Sequence, residues 1–512
     1  MAKRTGSSIA AIKRYRTVRL AKMLTRVFYL HQRKRYTEMS NLICEEFVSF
    51  GGVYIKFLQG VMLQSDIVKR WQNPDKMKIF ESVDIEPLDI NTILNQELSP
   101  TKLADIALVQ PQPFAAGSFG QVYYAQHKNG KPIIIKVLRP MIRELLQYDL
   151  KLLSNFSRAF YGALYNTKVN MNDIIGEFRR ATLRETDYRE EAAFAHELYQ
   201  VYKNHPTFII PETYVELCTD HIIVQEYVDG ISAAQLLKLQ EQGVDPHAYV
   251  KETLGSDLDQ QLITLGFESL NGIFNMPRIQ GDPHPGNVKL LTGNRVGLID
   301  FGISAHSPEN KAAFFGLLQE WNKLYQGDHD VASLFEQFIR FFVADLYMAL
   351  QKLASLRPDQ LSGGNFTKEV GKVAQEAFSR VTGTSDIEPL LEDGRIMQII
   401  NKTVNKGNRF GLVVKIESSE ILRAAQTYLN LVETLGRRKS VMPVVFAKVV
   451  QQVPKDHPTI LHPGDNAMSV ADALETITNW LERVAHRDPV LFKELMGRIK
   501  LKTAKTKGRS HV

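Results

Sequence analysis

Lys136 constrains the fold more than any other residue. It ends the run Ile133-Ile134-Ile135-Lys136 and is followed by Val137-Leu138, so a cation sits inside a strand-forming apolar segment. Burying an ammonium there is costly unless anions surround it. An edge strand with a snorkelling lysine is the other reading. Upstream, Val122-Tyr123-Tyr124-Ala125 is a second apolar run, and Lys128-Asn129-Gly130-Lys131 lies between the two. Asn-Gly between apolar runs predicts a hairpin.

The segment Ala115-Ala116-Gly117-Ser118-Phe119-Gly120-Gln121-Val122 precedes this hairpin, with Gly120 sixteen residues before Lys136. It fits the phosphate-covering pattern G-x-G-x-x-G-x-V with Ala115 at the first glycine. Glycines let backbone N–H groups approach phosphate oxygens, which makes Ala115, Ala116, Gly117, Ser118, Gly120 and Val122 candidate nucleotide contacts. Alone, the segment reads equally well as a glycine-rich hairpin without a ligand. Further on, Asp282-Pro283-His284-Pro285-Gly286-Asn287 places Asp and Asn five apart, as in a kinase catalytic loop, and Leu298-Ile299-Asp300-Phe301-Gly302 supplies D-F-G after an apolar strand. The eighteen residues from Asp282 to Asp300 hold a loop, a short hairpin and a metal-binding turn. Asn287 and Asp300 are hard oxygen donors suited to Mg²⁺. Chance does not account for four such motifs in this order, although a kinase-fold pseudoenzyme could keep them all.

Glu185, Asp187 and Glu191 fall on one predicted helix, and one of these acids is expected to pair with Lys136. A solvated acidic face, balanced by Arg179, Arg180, Arg184 and Arg189, is the alternative. Fifty-five residues separate Lys136 from Glu191, which predicts a helical insertion between them.

The rest of the chain reads mainly as helix: 8–35, Glu38–Gln64, 141–204, and most of the chain beyond 233, with loops near Gly363-Gly364 and Pro454–Pro463 and a disordered last dozen residues. His221–Val228 reads as a strand. No run of eighteen apolar residues occurs, so no spanning helix is expected. Two cysteines, Cys44 and Cys218, provide neither a disulfide framework nor zinc spacing, which points to a reducing compartment. The net charge of +7 gathers at the two ends. Eleven basic residues precede the first acid, Glu38, and six follow the last, Glu494. Such ends suit anionic partners. Nucleic acid is not expected, because aromatic-interleaved stacking motifs are absent.

Taken together, Phe114–Val122, Ile135–Pro140, Glu185–Tyr188, Gln225–Gly230, Asp282–Asn287 and Asp300–Gly302 resemble the UbiB/AarF atypical kinase family over roughly residues 45–305. The resemblance implies a two-lobed protein-kinase-like α+β fold, with ATP and Mg²⁺ as cofactors and a link to prenyl-lipid or quinone metabolism. It implies that Lys136 holds the nucleotide with Glu191 as its partner and that Asp282 is the catalytic aspartate. Asn287 and Asp300 would be metal ligands, Gln225 a gatekeeper, and Glu226 and Val228 the backbone contacts to adenine. It further implies a regulatory set: a K-x-G-Q helix, here Lys56-Phe57-Leu58-Gln59, with the E-x-D acids Glu185 and Asp187. Leu58 stands where the family has glycine, which argues against tight packing of that helix. Gly117 replaces an alanine and should admit phosphates more readily. Gln280 stands where a histidine is often found.

The expected organisation is a basic helical extension over 1–85, an N-lobe with a helical insertion over 86–230, a C-lobe core over 231–330 and a helical C-terminal region over 331–512. The expected function is an atypical kinase or ATPase acting on, or regulated by, a lipid-linked partner. The alternatives are a Ser/Thr protein kinase and a nucleotide-gated, non-catalytic lipid chaperone or scaffold. The basic amphipathic start would place the chain in the cytoplasm, peripheral at an anionic inner membrane face. A mitochondrial targeting peptide is the other reading of the same helix.

Overall fold

The computed structural model describes residues 9–58, 87–117, 119–164, 171–327, 331–355, 416–461 and 468–487, with a few positions up to 496. Ser118, Gln59, the expected loop near Gly363-Gly364 and the last dozen residues lie outside the described residues. The chain forms two compact units. The first takes its residues from the chain up to 204, from 210–229 and from 299–303; the second takes 205–209, 230–298 and the chain from 304 on.

The first unit is built on an antiparallel sheet of β1 (Ile106–Val109), β2 (Ala115–Ala116), β3 (Gly120–His127), β4 (Pro132–Leu138) and β6 (Ile222–Glu226). The strand order is β1-β3-β4-β6, with β2 paired to β3. The Asn129-Gly130 turn joins β3 to β4 in a register that sets Val122 opposite Lys136 and Ala125 opposite Ile133. Period-two alternation then sorts the strands. Tyr123, Ala125, Ile133, Ile135, Val137, Ile222 and Val224 pack into one core with Ile90 and Leu94 of a short helix, α4 (Ile90–Glu97), which a one-turn helix, α5 (Pro100–Leu103), follows. Lys136 falls on the other face. β1 was not anticipated, because four residues ending in Ala-Leu-Val carry too little alternation to mark a strand.

The N-terminal helices α1 (Ile9–Gln32), α2 (Tyr36–Phe50) and α3 (Val53–Phe57) belong to this unit and share a core with α6 (Ile142–Leu164). The single helix expected over Glu38–Gln64 is broken at Gly51-Gly52, whose φ values of +71° and +52° only glycine adopts cheaply. Leu58 is fully buried in the same core, so the expectation of loose packing is overturned: the leucine side chain fills space there. The basic residues of α1 divide. Lys13 pairs with Glu144 at 2.5 Å, Arg16 with Asp149, and Arg19 with Glu46 at 2.6 Å. Arg14, Lys22 and Arg26 are exposed.

Two further helices, α7 (Met171–Arg184) and α8 (Tyr188–Tyr202), complete the unit. They correct the expectation of one helix through Glu185 and Glu191. Helix α7 stops at Arg184, and Asp187 caps α8 by accepting the Glu190 N–H.

The second unit contains a four-stranded sheet, β5 (Phe208–Ile209), β10 (Val296–Leu298), β9 (Val288–Leu290) and β7 (Ile231–Ser232), in that order. It also has a two-stranded ribbon of β8 (Arg278–Gln280) and β11 (Ser304–His306). Around these lie α9 (Ala233–Glu241), α10 (Pro246–Leu254), α11 (Leu258–Asn275), α12 (Lys311–Tyr325), α13 (Val331–Phe342), α14 (Ala344–Ser355), α15 (Ile416–Leu435), α16 (Arg438–Asp456) and α17 (Val470–Arg487). Helix α16 runs through Pro443 and Pro454 to Asp456, past the start of the loop expected near Pro454–Pro463.

Two predictions follow from this packing. The Phe47 ring is fully buried and contacts Tyr54, Phe57 and Phe156 at centroid distances of 5.4, 6.2 and 5.3 Å. Phe47→Ala should destabilise the first unit by about 3–5 kcal/mol, read from urea unfolding. Burial pushes the Cys44 thiol up to about 12 and the Cys218 thiol up to about 11. At pH 8 both thiols are almost entirely protonated. Iodoacetamide should therefore leave both cysteines unmodified in the native protein and alkylate both in urea.

Candidate functional site

Lys136 projects from β4 on the face away from the sheet core and is 8% exposed. Its Nζ donates to Glu191 Oε1 at 2.7 Å, to Asp300 Oδ2 at 3.3 Å and to the Ile299 carbonyl at 3.3 Å. These partners come from α8 and from the 299–303 segment, all within the first unit. Burial alone would discharge this lysine. The nearby Asp300 and Glu191 carboxylates outweigh burial and hold its pKa above the ordinary value. Glu191 is held above its ordinary range by burial, against the opposing pull of Lys136. Burial also opposes the charge on Asp300, but Lys136 and the Gly302 N–H, at 3.2 Å, keep its carboxyl below the ordinary range. The Asp300 side chain is 44% exposed, so a charged oxygen stays accessible beside a buried ammonium.

The glycine-rich segment lies on the same sheet. Ala115 and Ala116 form β2, opposite Val122 and Gln121, and the Gly117 N–H donates to the Gly120 carbonyl at 3.0 Å. Phe119 turns inward and is buried. The Lys56 ammonium of α3 sits 4.5 Å above its ring and pairs with Glu185. Lys56, Phe119 and Glu185 thus form one linked set, whereas Asp187 acts as a helix cap. Sequence reasoning missed Arg143, whose guanidinium donates to the Thr186 carbonyl (2.7 and 3.1 Å) and the Asp220 carbonyl (2.9 Å) and so holds the turn carrying Glu185 and Asp187. No motif marks it. It also missed Phe119 as an anchor, although an aromatic inside a glycine-rich loop is a usable signal.

On β6, Gln225 is buried on the Lys136 side of the sheet, opposite Ile134. Its Nε2 donates to Thr213 Oγ1 at 3.1 Å, while its Oε1 is buried without a hydrogen-bond partner. Glu226 accepts from the Glu212 N–H through Oε2 at 3.2 Å, and Val228 is buried.

The second unit carries Asp282 and Asn287. Gln280 brackets Asp282: its Nε2 donates to the Asp282 carbonyl at 2.6 Å, and its Oε1 accepts the Asp282 N–H at 3.0 Å. Asn287 Nδ2 donates to the same carbonyl at 3.2 Å, which commits its amide nitrogen and leaves Oδ1 as the acceptor end. Gly281 is required because a Cβ there would lie 2.9 Å from the backbone of Ser304 and Ala305 in β11. Glutamine at position 280 therefore supplies both a donor and an acceptor to the loop. Among the described residues, no group of three or more His, Cys, Asp or Glu could by itself hold a metal ion. Mg²⁺ is usually held by one or two carboxylates together with phosphate oxygens, and the accessible Asp300 carboxylate fits such a role.

Residues 84–333 match the ABC1 atypical kinase-like domain. The chain is 29% identical over 283 residues to the protein named Activity of BC1 Complex Kinase 1, chloroplastic, of Arabidopsis thaliana, covering 54% of this chain and 39% of that protein. It is 23% identical over 390 residues to a probable protein kinase UbiB of Pseudomonas fluorescens, covering 76% of this chain and 66% of that one. A solved structure of the Mycobacterium tuberculosis protein Rv3197 with erythromycin aligns at a TM-score of 0.37 and 23% identity, over 52% of this chain and 67% of that one. Residues 84–333 are thus similar to an ABC1 atypical kinase-like domain, within a chain of mixed helix and sheet whose described C-terminal elements are helical.

The charge set makes a stability prediction. Lys136→Ala strands Glu191 and Asp300 together, whereas Glu191→Ala leaves Lys136 paired with Asp300. Lys136→Ala should cost about 3–5 kcal/mol, and Glu191→Ala less. The double variant Lys136→Met/Glu191→Leu should cost less than the sum of the two single changes, as read from denaturant unfolding.

Proposed function

We propose that the ABC1 atypical kinase-like domain of this chain is an ATP- and Mg²⁺-dependent phosphoryl-transfer or ATP-hydrolysing enzyme that acts on, or is regulated by, a lipid-linked partner. The observation that carries this reading is the buried Lys136 ammonium, held by Glu191 beside the accessible carboxylate of Asp300. Lys136 would bind phosphate oxygens, and Glu191 would fix its position. Asp300 would offer Mg²⁺ a carboxylate oxygen, and Asn287 an amide oxygen. Asp282, with its backbone bracketed by Gln280, would orient the attacking hydroxyl or water and receive its proton. Bound Mg-ATP supplies the transferable phosphoryl group and the metal charge. The unpartnered Oε1 of Gln225 fits an amino-group donor such as adenine's.

The exposed Arg14, Lys22 and Arg26 of α1, with Val18 (46% exposed) and Tyr29 (51%) beside them, suit attachment to an anionic membrane surface. No described helix is long and apolar enough to cross a membrane. The relatives named as chloroplastic make an organelle a second candidate location. Lys56 over Phe119, tied to Glu185, favours a restricted phosphate acceptor over a general Ser/Thr protein kinase.

Calorimetry should detect ATP binding that requires Mg²⁺. Hydrolysis should rise when vesicles containing anionic lipid are added. Asp300→Asn should lose the Mg²⁺-dependent part of binding, and Asp282→Asn should keep binding while turnover falls by about 100-fold or more. ATP binding without turnover in the unaltered chain would establish the scaffold instead. Robust phosphorylation of added proteins would establish the protein kinase.

A further inference from the structure

The second unit holds a cavity of about 100 Å³ whose wall is almost entirely hydrocarbon. Leu318, Trp321, Phe341, Leu422 and Phe446 contribute to it, from α12, α13, α15 and α16. The recess is partly open, with Ser269 and Ala425 half-buried at its wall, so a small guest can reach it. Apolar cavities near this size stay dry and take up a benzene-sized guest.

Two of the polar side chains at the wall, Tyr428 and Gln280, are engaged elsewhere. Tyr428 Oη donates to the Leu262 carbonyl at 2.9 Å. The Gln280 amide is committed to Asp282 at both ends. A charged or strongly polar guest would lose hydration without replacement. Gln280 and Pro283 both line the cavity, and they flank Asp282 on either side. Gly281, between them, is fixed by close contact with β11. The back of the Asp282 loop is therefore one wall of the cavity.

We propose that this cavity is a binding site for a small uncharged hydrocarbon group, alkyl or single-ring aromatic, and that its occupancy is transmitted to Asp282 through Gln280 and Pro283. A guest pressing on that wall meets a close-packed loop with two hydrogen bonds to one residue. A change at the wall then shifts the backbone that carries Asp282. The site would let an apolar molecule tune the loop without touching the nucleotide.

Toluene is a suitable probe for the full chain, with no nucleotide present, so the outcome is independent of whether ATP is turned over. Calorimetry should show saturable one-site binding. Ala425→Leu, which fills the cavity, should weaken it at least tenfold, and Ser269→Leu, from a different helix, should do the same. Amide exchange at Asp282 should slow severalfold with toluene in the unaltered chain and stay unchanged in the filled variants. Far-ultraviolet circular dichroism establishes which variants fold, and either one that folds decides the matter. Absence of saturable binding, equal affinity in a folded filled variant, or binding that leaves Asp282 exchange unchanged would overturn the proposal.

Discussion

The ammonium of Lys136 organises the first unit. A cation 8% exposed cannot remain charged unless anions reach it, and the chain brings two. Glu191 arrives on α8 after two helices have been inserted, and Asp300 arrives from a five-residue segment that leaves the second unit to join the first. The same demand explains the turn before α8. Asp187 has to end one helix and start another so that Glu191, one turn later, faces β4. Ion sets of this kind gain little net stability over an apolar replacement of similar volume. Their presence in a strand that otherwise reads Ile-Ile-Ile is therefore not explained by stability.

What could be read in advance tracks how local the physics is. The β3–β4 hairpin was legible because an Asn-Gly turn and period-two alternation act within a dozen residues. Lys136 was legible because a lysine in an isoleucine run is anomalous on its face. The break at 185–187 was not, because Glu-Thr-Asp continues a helical pattern as readily as it ends one. The break is fixed by Arg143 gripping the Thr186 carbonyl from a helix more than forty residues upstream. Gln280 looked like the loss of a histidine, yet its amide offers a donor and an acceptor at once, and the Asp282 loop uses both. A two-ended side chain is visible only with its partners in place.

The basic N-terminus shows how charge counting misleads. By composition, α1 is a cationic stripe. In the folded unit, Lys13, Arg16 and Arg19 are turned towards Glu144, Asp149 and Glu46. Tyr54 Oη adds a hydrogen bond to Asp149 at 3.2 Å. These pairs set the register of α1 on α6 and α2. Among the described basic residues of α1, Arg14, Lys22 and Arg26 are exposed and keep their charge for a partner, so the anionic surface the helix could meet is narrower than the net charge of the segment suggests.

Magnitudes decide what anchors α3 over the glycine-rich segment. The Lys56–Glu185 pair is about a quarter exposed, and pairs of that kind contribute up to about 1 kcal/mol. The cation–π contact with Phe119 adds about 0.5–1 kcal/mol. Val53, Tyr54, Phe57 and Leu58 are all buried in the helical core, and side chains such as these contribute about 1.5–3 kcal/mol each. The apolar face therefore holds the helix, while the ion pair chooses what its lysine touches. Leucine at position 58, where a glycine would bury nothing, shifts the balance further towards a fixed helix. The weak polar contacts of Lys56 can then break without moving α3 or unseating Phe119, which is buried in the same apolar cluster.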